Sequence, residues 1–317
     1  MTDTQNEVFK TPVNKIRLFE HGAPGSQNLK LTRKYYTEDM PDGRVKHIVQ
    51  NITDPDIVPY IPDGIGNSTD RQRIPAVLII PGGAFRRLVY NFEGEDVAKW
   101  LNSMGIAAFV LECRLPSDEH DNAEDVPLID AMRAMRVIRG RAQEFGIDEA
   151  KIGVMGFSAG GFMAALLSTA YESDVYADYK YKDEYDKLSA RPDFAVCSYP
   201  VISIDDCIEA GKRYMSEEQV LKRISDSKAK ILHKYNPDKL VRRDMPPVFI
   251  CETDDDRTTL SENSVGFYMA ARKAGVSAEL HIFRTGGHGY GCGDDFAQTG
   301  EWKVLFTKWI KSIGIIS

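Results

Sequence analysis

The chain has 317 residues, of which 43% are hydrophobic and 27% are charged, and its formal net charge is −7. Such a composition is typical of a globular protein with a large core. The negative charge argues against nucleic acid or an anionic membrane surface as the main partner, because both need a concentrated basic patch. No apolar stretch approaches the ~20 residues that span a bilayer, and the N-terminus lacks the apolar run of a secretory signal. The sequence therefore favours a cytoplasmic protein, with a removed leader as the alternative.

From about residue 76 onward, short apolar segments alternate with amphipathic ones. The apolar segments predict strands over 76–80, 106–112, 151–157, 194–201, 246–252 and 278–283. Helical spacing of apolar residues predicts helices over 94–105, 127–146, 159–170, 260–275 and 299–314. Strands that are apolar on both faces and alternate with helices indicate a mostly parallel sheet with helices on both faces. We therefore expect one α/β domain over residues 1–317.

Two parts of the chain depart from this alternation. The first 75 residues are polar and rich in Pro and Gly, and they predict antiparallel edge strands, for example over 45–52. Residues 171–193 and 203–245 are charged, helical insertions at loop ends. A lid over a site at the C-terminal edge of the sheet and a solvated surface excursion are the alternatives for these insertions.

Five cysteines are scattered along the chain without a CxxC pair: Cys113, Cys197, Cys207, Cys251 and Cys292. An odd number of cysteines, several of them inside apolar strand-like runs, indicates reduced thiols rather than a disulfide framework. We expect no structural metal site.

The segment "GFSAG" fits the pattern G-x-S-x-G and lies between a predicted strand and a predicted helix. In that context the pattern describes a tight turn in which small neighbours expose a serine hydroxyl at the edge of the sheet. The sequence predicts Ser158 as a nucleophile. The N–H group of Ala159, at the helix N-terminus, is predicted to stabilise developing negative charge.

A serine nucleophile needs a base, and that base needs an orienting acid. His288 is the predicted base, because it lies in the glycine-rich "TGGHGYGCG" after the last predicted strand. The other histidines precede the serine, lie in the charged insertion or alternate within a strand: His21, His47, His120, His233 and His281.

The acid is expected between the serine and the histidine along the chain. The run Asp254, Asp255 and Asp256 follows a predicted strand, and three adjacent carboxylates repel one another, so one of them should pair with a cation or an imidazolium. The residue pattern alone leaves all three open. The loop "PGGAF" after the first core strand predicts Gly83 and Ala84 as further oxyanion donors.

Taken together, the chain resembles α/β-hydrolases, and more narrowly the bacterial acetyl esterases and acetylxylan or feruloyl esterases. These are related to hormone-sensitive-lipase-type esterases and to the catalytic domains of prolyl oligopeptidases. The resemblance extends from about residue 17 to the C-terminus, and its most telling segments include "PGGAF", "IGVMGFSAGG", "RPDFAVCSYPVIS" and "GGHGYG". It implies an α/β-hydrolase fold and hydrolysis of short acyl esters, acetyl above all, on carbohydrate or xylan fragments.

The same resemblance selects one aspartate. In the family the acid segment typically reads T-A-D-D-P-V-V-P-x-E-N-S, and alignment on "ENS" at 262–264 puts the first family aspartate on Asp255. Asp255 is therefore the predicted acid, with Asp254 and Asp256 as alternatives. Residues 257–260 are more polar here than in the family.

The sequence thus predicts a serine carboxylester hydrolase that needs no metal or organic cofactor and acts on a small-molecule or oligosaccharide ester. Its predicted catalytic residues are Ser158, Asp255 and His288, and its predicted oxyanion donors are Gly83, Ala84 and Ala159. A prolyl-oligopeptidase-like peptidase and a non-catalytic ligand-binding protein on the same fold are the alternatives. The sequence makes no prediction of the oligomeric state.

Overall fold

A computed structural model of the chain describes residues 9, 13–64, 73–213, 215, 216, 218–220, 222, 228–293 and 298–317. Parts of the predicted N-terminal edge region and of the 203–245 insertion lie outside the described residues. So does the side chain of Cys207.

The strands, in chain order, are β1 (Ile16–Arg17), β2 (Lys34–Asp39), β3 (Val45–Gln50), β4 (Asp56–Tyr60), β5 (Ile74–Ile80), β6 (Leu88–Val89), β7 (Ala107–Glu112), β8 (Ile147–Phe157), β9 (Ala195–Ser198), β10 (Val248–Thr253) and β11 (Ala278–Phe283). The helices are α1 (Asp96–Ser103), α2 (Val126–Gly140), α3 (Ala142–Phe145), α4 (Ala159–Ala170), α5 (Ile204–Lys212), α6 (Lys228–Lys234), α7 (Ser261–Lys273) and α8 (Glu301–Ser312).

One sheet of the described region has eight strands in the order β1-β4-β7-β5-β8-β9-β10-β11. Strands β7, β5, β8, β9, β10 and β11 pair in parallel, whereas β4 pairs antiparallel with both β7 and β1. The mostly parallel sheet is therefore confirmed, and β1 and β4 are strands from the first part of the chain at one edge of it. The strand predicted over 45–52 is not one of these edge strands. A second, antiparallel sheet joins β2, β3 and β6.

Strands β5, β7, β8 and β10 end in runs of buried residues, as expected for strands that are covered on both faces. The predicted helix over 127–146 is interrupted at Arg141, and the short α3 ends at Gly146, which has a φ of 66°. A glycine in this left-handed conformation terminates a helix without steric cost. No helix in the described ranges has both the length and the apolar character needed to cross a lipid bilayer.

The first insertion, residues 171–193, connects the end of α4 to the start of β9. Both of these ends lie at the amino edge of the parallel strands. From α2, Arg136 Nε donates to the carbonyl of Leu188 at 2.9 Å and Arg139 Nη2 donates to that of Arg191 at 3.0 Å. These contacts hold the insertion against α2, away from the carboxyl edge, and they favour the surface excursion over a lid for this segment.

The second insertion, residues 203–245, leaves the sheet at the carboxyl end of β9. Near its end, Lys234 Nζ is 2.7 Å from a carboxylate oxygen of Asp125, which directly precedes α2. A lid formed by this insertion stays a prediction.

Candidate active site

Ser158 lies at the carboxyl end of β8, in the turn that leads directly into α4. Its φ of 53° and ψ of −117° are a conformation that residues other than glycine rarely adopt. A Cβ atom at Gly156 would clash with the carbonyl group of Gly160, and one at Gly160 would clash with the carbonyl of Ile80. Close backbone approach therefore demands both glycines, as the G-x-S-x-G pattern predicted.

The side chain of His288 extends from the glycine-rich loop after β11 to Ser158. Its Nε2 is 2.8 Å from Ser158 Oγ, and its Nδ1 is 2.6 Å from Asp256 Oδ2. The imidazole is 22% exposed, whereas the carboxylate of Asp256 is completely buried. The structure thus brings the predicted serine and histidine together and places a carboxylate on the far side of the ring.

The prediction that Asp255 orients the histidine ring is wrong, because Asp256 occupies that position. Asp255 is exposed, and its Oδ1 accepts hydrogen bonds from the N–H groups of Gly286 at 2.9 Å and Gly287 at 2.8 Å. It therefore fixes the backbone of the loop that carries the histidine. Asp254 is exposed as well, so Asp256 is the one aspartate of the three that faces inward.

Asp256 is held by the residues that immediately follow it. Its Oδ1 accepts from the N–H groups of Thr258 at 2.7 Å and Thr259 at 3.0 Å, and its Oδ2 accepts from Thr259 Oγ1 at 3.0 Å. The same Thr259 hydroxyl lies 3.2 Å from His288 Nδ1. These hydrogen bonds fix the orientation of the carboxylate beside the imidazole.

The loop after β5 carries two of the predicted oxyanion donors. Gly83 and Ala84 have φ values of 138° and 61°. Within the described ranges, the N–H groups of Gly83, Ala84 and Ala159 donate to no protein acceptor, whereas the N–H of Gly82 donates to Glu93 Oε2 at 2.8 Å. The Ala159 N–H also lies at the positive end of the α4 dipole. The predicted donors are thus unoccupied by protein groups and Gly82 is not.

A pocket with about 260 Å³ of empty space adjoins this loop and the start of α4. Its lining is mostly apolar and includes Phe85, Leu88, Leu115, Pro116 and Met163. The volume of about 260 Å³ includes open solvent at the pocket mouth, so the enclosed space takes only a small group.

Two buried side chains beside the site, Glu93 and Tyr199, were not predicted from the sequence. Glu93 Oε1 accepts a hydrogen bond from the hydroxyl of Tyr199 at 2.9 Å, and the two side chains adjoin the oxyanion loop and the histidine loop. Burial raises the pKa of Glu93, while His288 and the Tyr199 hydroxyl act in the opposite direction. The sequence held no signal for either residue, since Glu93 precedes a predicted helix and Tyr199 falls inside a predicted strand.

The described residues contain no group of three or more His, Cys, Asp or Glu side chains that could hold a metal ion. Four cysteines are buried, and none of them is bonded to another of the four: Cys113, Cys197, Cys251 and Cys292. The geometry supports acid–base and nucleophilic chemistry by side chains.

Comparison with known protein families identifies the chain's relatives. Residues 65–270 match the family model described as BD-FAE. The chain belongs to the BD-FAE family. The matched range includes Ser158 and Asp256 and ends before the loop that carries His288.

Individual relatives agree with this assignment. An acetylxylan esterase from Xylanibacter ruminicola is 31% identical over 240 residues, which are 75% of this chain and 45% of that protein. The chain therefore spans about half the length of this curated relative. The crystal structure of an acetyl ester-xyloside bifunctional hydrolase from Caldicellulosiruptor lactoaceticus is 35% identical, with a TM-score of 0.70 and coverage of 96% of this chain and 97% of that one.

A carboxylesterase from Lactobacillus plantarum, 20% identical, has a TM-score of 0.68 and coverage of 90% of this chain and 99% of its own. At that identity the likeness concerns the fold. The predicted α/β-hydrolase fold and the predicted resemblance to acetyl and acetylxylan esterases are confirmed.

Proposed function

We propose that this chain is a serine carboxylester hydrolase that acts through Ser158, His288 and Asp256. The observation that carries the proposal is a continuous hydrogen-bonded line from Ser158 Oγ through both ring nitrogens of His288 to Asp256, with distances of 2.8 and 2.6 Å. A serine hydroxyl needs such a base to attack an ester, and the base needs such a carboxylate to fix its tautomer. The esterases among the relatives support the same class of reaction.

In the first half of the reaction, His288 Nε2 takes the proton from Ser158 Oγ as that oxygen bonds to the ester carbonyl carbon. Asp256 accepts the Nδ1–H hydrogen bond and stabilises the imidazolium. The C–O bond to the alcohol then breaks, and His288 gives its proton to the leaving oxygen. Water repeats the same steps on the acyl-enzyme, which releases the acid and restores Ser158.

The tetrahedral intermediate carries a negative charge on the former carbonyl oxygen. The N–H groups of Gly83, Ala84 and Ala159 are the donors proposed for it, since no protein acceptor uses them within the described residues. Donors aimed at this oxygen are worth about 10²–10³ in turnover each.

The proposed substrate is a short-chain acyl ester, chiefly acetyl, on a small molecule or a xylan-derived oligosaccharide. Two observations support it: the limited size of the pocket beside the oxyanion loop, and relatives named as an acetylxylan esterase and an acetyl ester-xyloside hydrolase.

A prolyl-oligopeptidase-like peptidase uses the same three side chains, so the choice between the two is a matter of substrate. A non-catalytic binding protein is disfavoured, because the hydroxyl, the imidazole and the carboxylate are all in hydrogen-bond contact.

The test is to measure turnover of p-nitrophenyl esters from acetyl to octanoyl, acetate release from acetylated xylan, and cleavage of a dipeptide anilide. We expect turnover to be highest for acetyl and to fall with chain length, acetate to be released from xylan, and the anilide to remain intact. Faster cleavage of the anilide than of every ester would assign the chain to the peptidases. Absence of all these activities would overturn the enzymatic proposal.

A further inference from the structure

Glu93 is a carboxylate placed directly behind the oxyanion loop, and it is only 4% exposed. It lies in a π-helical turn, Asn91–Glu95, that leads into α1. Its Oε2 accepts the N–H of Gly82 at 2.8 Å, and its Oε1 accepts the hydroxyl of Tyr199 at 2.9 Å. Each carboxylate oxygen therefore holds a different part of the structure.

Tyr199 follows β9 and is completely buried, with a φ of 38°. Its hydroxyl donates to Glu93 and accepts the N–H of Gly291 at 3.1 Å, so it connects the oxyanion loop to the loop that carries His288. Its ring lies edge-on to the imidazole of His288, with ring centroids 5.0 Å apart and an interplanar angle of 69°. Its carbonyl oxygen lies 3.1 Å from the hydroxyl oxygen of Thr259. Tyr199 thus contacts the loops of the histidine and the acid directly and reaches the oxyanion loop through Glu93.

The positive φ of Tyr199 and the burial of the Glu93 carboxylate are both unfavourable for folding. A positive φ at a residue other than glycine costs about 1–3 kcal/mol, and a buried carboxylate is costly unless hydrogen bonds and nearby positive charge offset the loss of water. The hydrogen bonds from Gly82 and Tyr199, together with His288 and Lys46 nearby, offset part of the cost of burying Glu93. Costs of this kind persist where the geometry serves a functional site.

We propose that Glu93 and Tyr199 are positioning residues, which fix the oxyanion loop and the histidine loop relative to each other. The inference rests on the proposed function, since it concerns the reaction assigned to Ser158. It adds a second carboxylate to the site, separate from Asp256, that contacts no reacting atom.

The first test removes a single hydroxyl. Tyr199→Phe deletes the link between Glu93 and Gly291 and keeps the aromatic ring. Tyr290→Phe is the matched control. Tyr290 is buried and its ring centroid lies 4.5 Å from that of Tyr199. Its hydroxyl has no nitrogen or oxygen partner among the described residues. We expect Tyr199→Phe to lower kcat for p-nitrophenyl acetate about tenfold with KM within about threefold, whereas Tyr290→Phe retains wild-type kcat.

The second test removes the charge. Glu93→Gln keeps the size of the side chain, but it loses the negative charge and one accepted hydrogen bond. We expect kcat to fall about 10- to 100-fold. KM should stay within about threefold, since Glu93 acts through the two loops and not on the substrate. Asp256 remains beside the ring in this variant and keeps the site functional.

Four outcomes decide the matter. A wild-type protein with no ester turnover and no labelling of Ser158 by a fluorophosphonate would overturn the proposed function, and this inference with it. Turnover by the wild type with unchanged kcat in both Tyr199→Phe and Glu93→Gln would overturn the positioning role alone. Losses of equal size in Tyr199→Phe and Tyr290→Phe would do the same. If the double variant Glu93→Gln with Tyr199→Phe loses no more kcat than the more impaired of the two single variants, the two residues act as one unit, as proposed.

Discussion

Two buried aspartates at the carboxyl edge of the sheet hold a basic side chain, and they do so differently. Asp130 and Arg114 are both completely buried, and the guanidinium donates to the carboxylate from Nε and Nη2 and to the N-terminal segment from Nη1. Asp256 holds one nitrogen of His288, whose other nitrogen faces Ser158 on a ring that is 22% exposed. The Asp130–Arg114 pair is closed, in that protein groups occupy the nitrogens of the guanidinium. The Asp256–His288 pair leaves one ring nitrogen for a reacting group.

The backbone differs in the same sense. Seven described residues other than glycine have a positive φ, and four of them border the active site: Ala84, Phe85, Ser158 and Tyr199. Neither Arg114 nor Asp130 is among the seven. Backbone strain costs free energy of folding and is concentrated where function requires an unusual geometry. The Asp130–Arg114 pair lies on a relaxed backbone, which fits a structural role. The Asp256–His288 pair ends at the strained Ser158, which fits the catalytic role proposed for it.

The largest effect should come from removing the nucleophile. Ser158→Ala deletes the oxygen that forms the acyl bond, so kcat for p-nitrophenyl acetate should fall by about 10⁶, while the free energy of unfolding stays near that of the wild type. Turnover within about 100-fold of the wild type would contradict the contrast between the two pairs, because His288 would then not act on Ser158.

The next effect distinguishes the two neighbouring aspartates. Asp256→Asn should lower kcat by about 10⁴, because an amide cannot fix the imidazole tautomer or stabilise the imidazolium. Asp255→Asn is the matched control. It keeps the oxygen that accepts from Gly286 and Gly287, and its kcat should stay within about tenfold of the wild type. The reverse order of the two variants would restore Asp255 as the catalytic acid.

Breaking the closed pair should instead reduce stability. Asp130→Ala leaves a buried guanidinium without its partner, which should lower the free energy of unfolding by about 3–5 kcal/mol in urea titrations. The kcat of the folded protein should remain within about threefold of the wild type. Replacing both members by apolar residues, Arg114→Met with Asp130→Leu, should recover most of the lost stability. A stable Asp130→Ala protein without activity would contradict the structural assignment.

The smallest effect concerns strain in the oxyanion loop. Ala84→Gly relieves a φ of 61° but adds flexibility to the unfolded chain, so the net gain in stability should be below about 1 kcal/mol. The N–H group remains, so kcat should stay within about threefold. A rise in Tm with a large loss of kcat would indicate that the strain itself serves catalysis.

The serine and the histidine could be predicted from the sequence because both lie among glycines, which a tight turn and a close backbone approach require. The parallel sheet could be predicted because strands buried on both faces are apolar throughout. It could not separate Asp255 from Asp256. Adjacent residues point in different directions, and the inward one is decided by the N–H groups of Thr258 and Thr259 in a loop that differs from the family pattern.

Glu93 and Tyr199 could not be predicted from the sequence for another reason. They are 106 positions apart and meet only through the packing of loops from different strands. The sequence also left the role of the first insertion open. Its charge pattern does not reveal that it leaves the sheet at the amino edge, whereas the order of strands and helices does.

The most direct measurement of the central claim is peptide mapping by mass spectrometry after reaction with a fluorophosphonate, which reacts with activated serines. The account predicts a single adduct on the peptide that contains Ser158, and a much slower reaction in His288→Ala and Asp256→Asn. An adduct at another residue, or none on the folded wild-type protein, would contradict it.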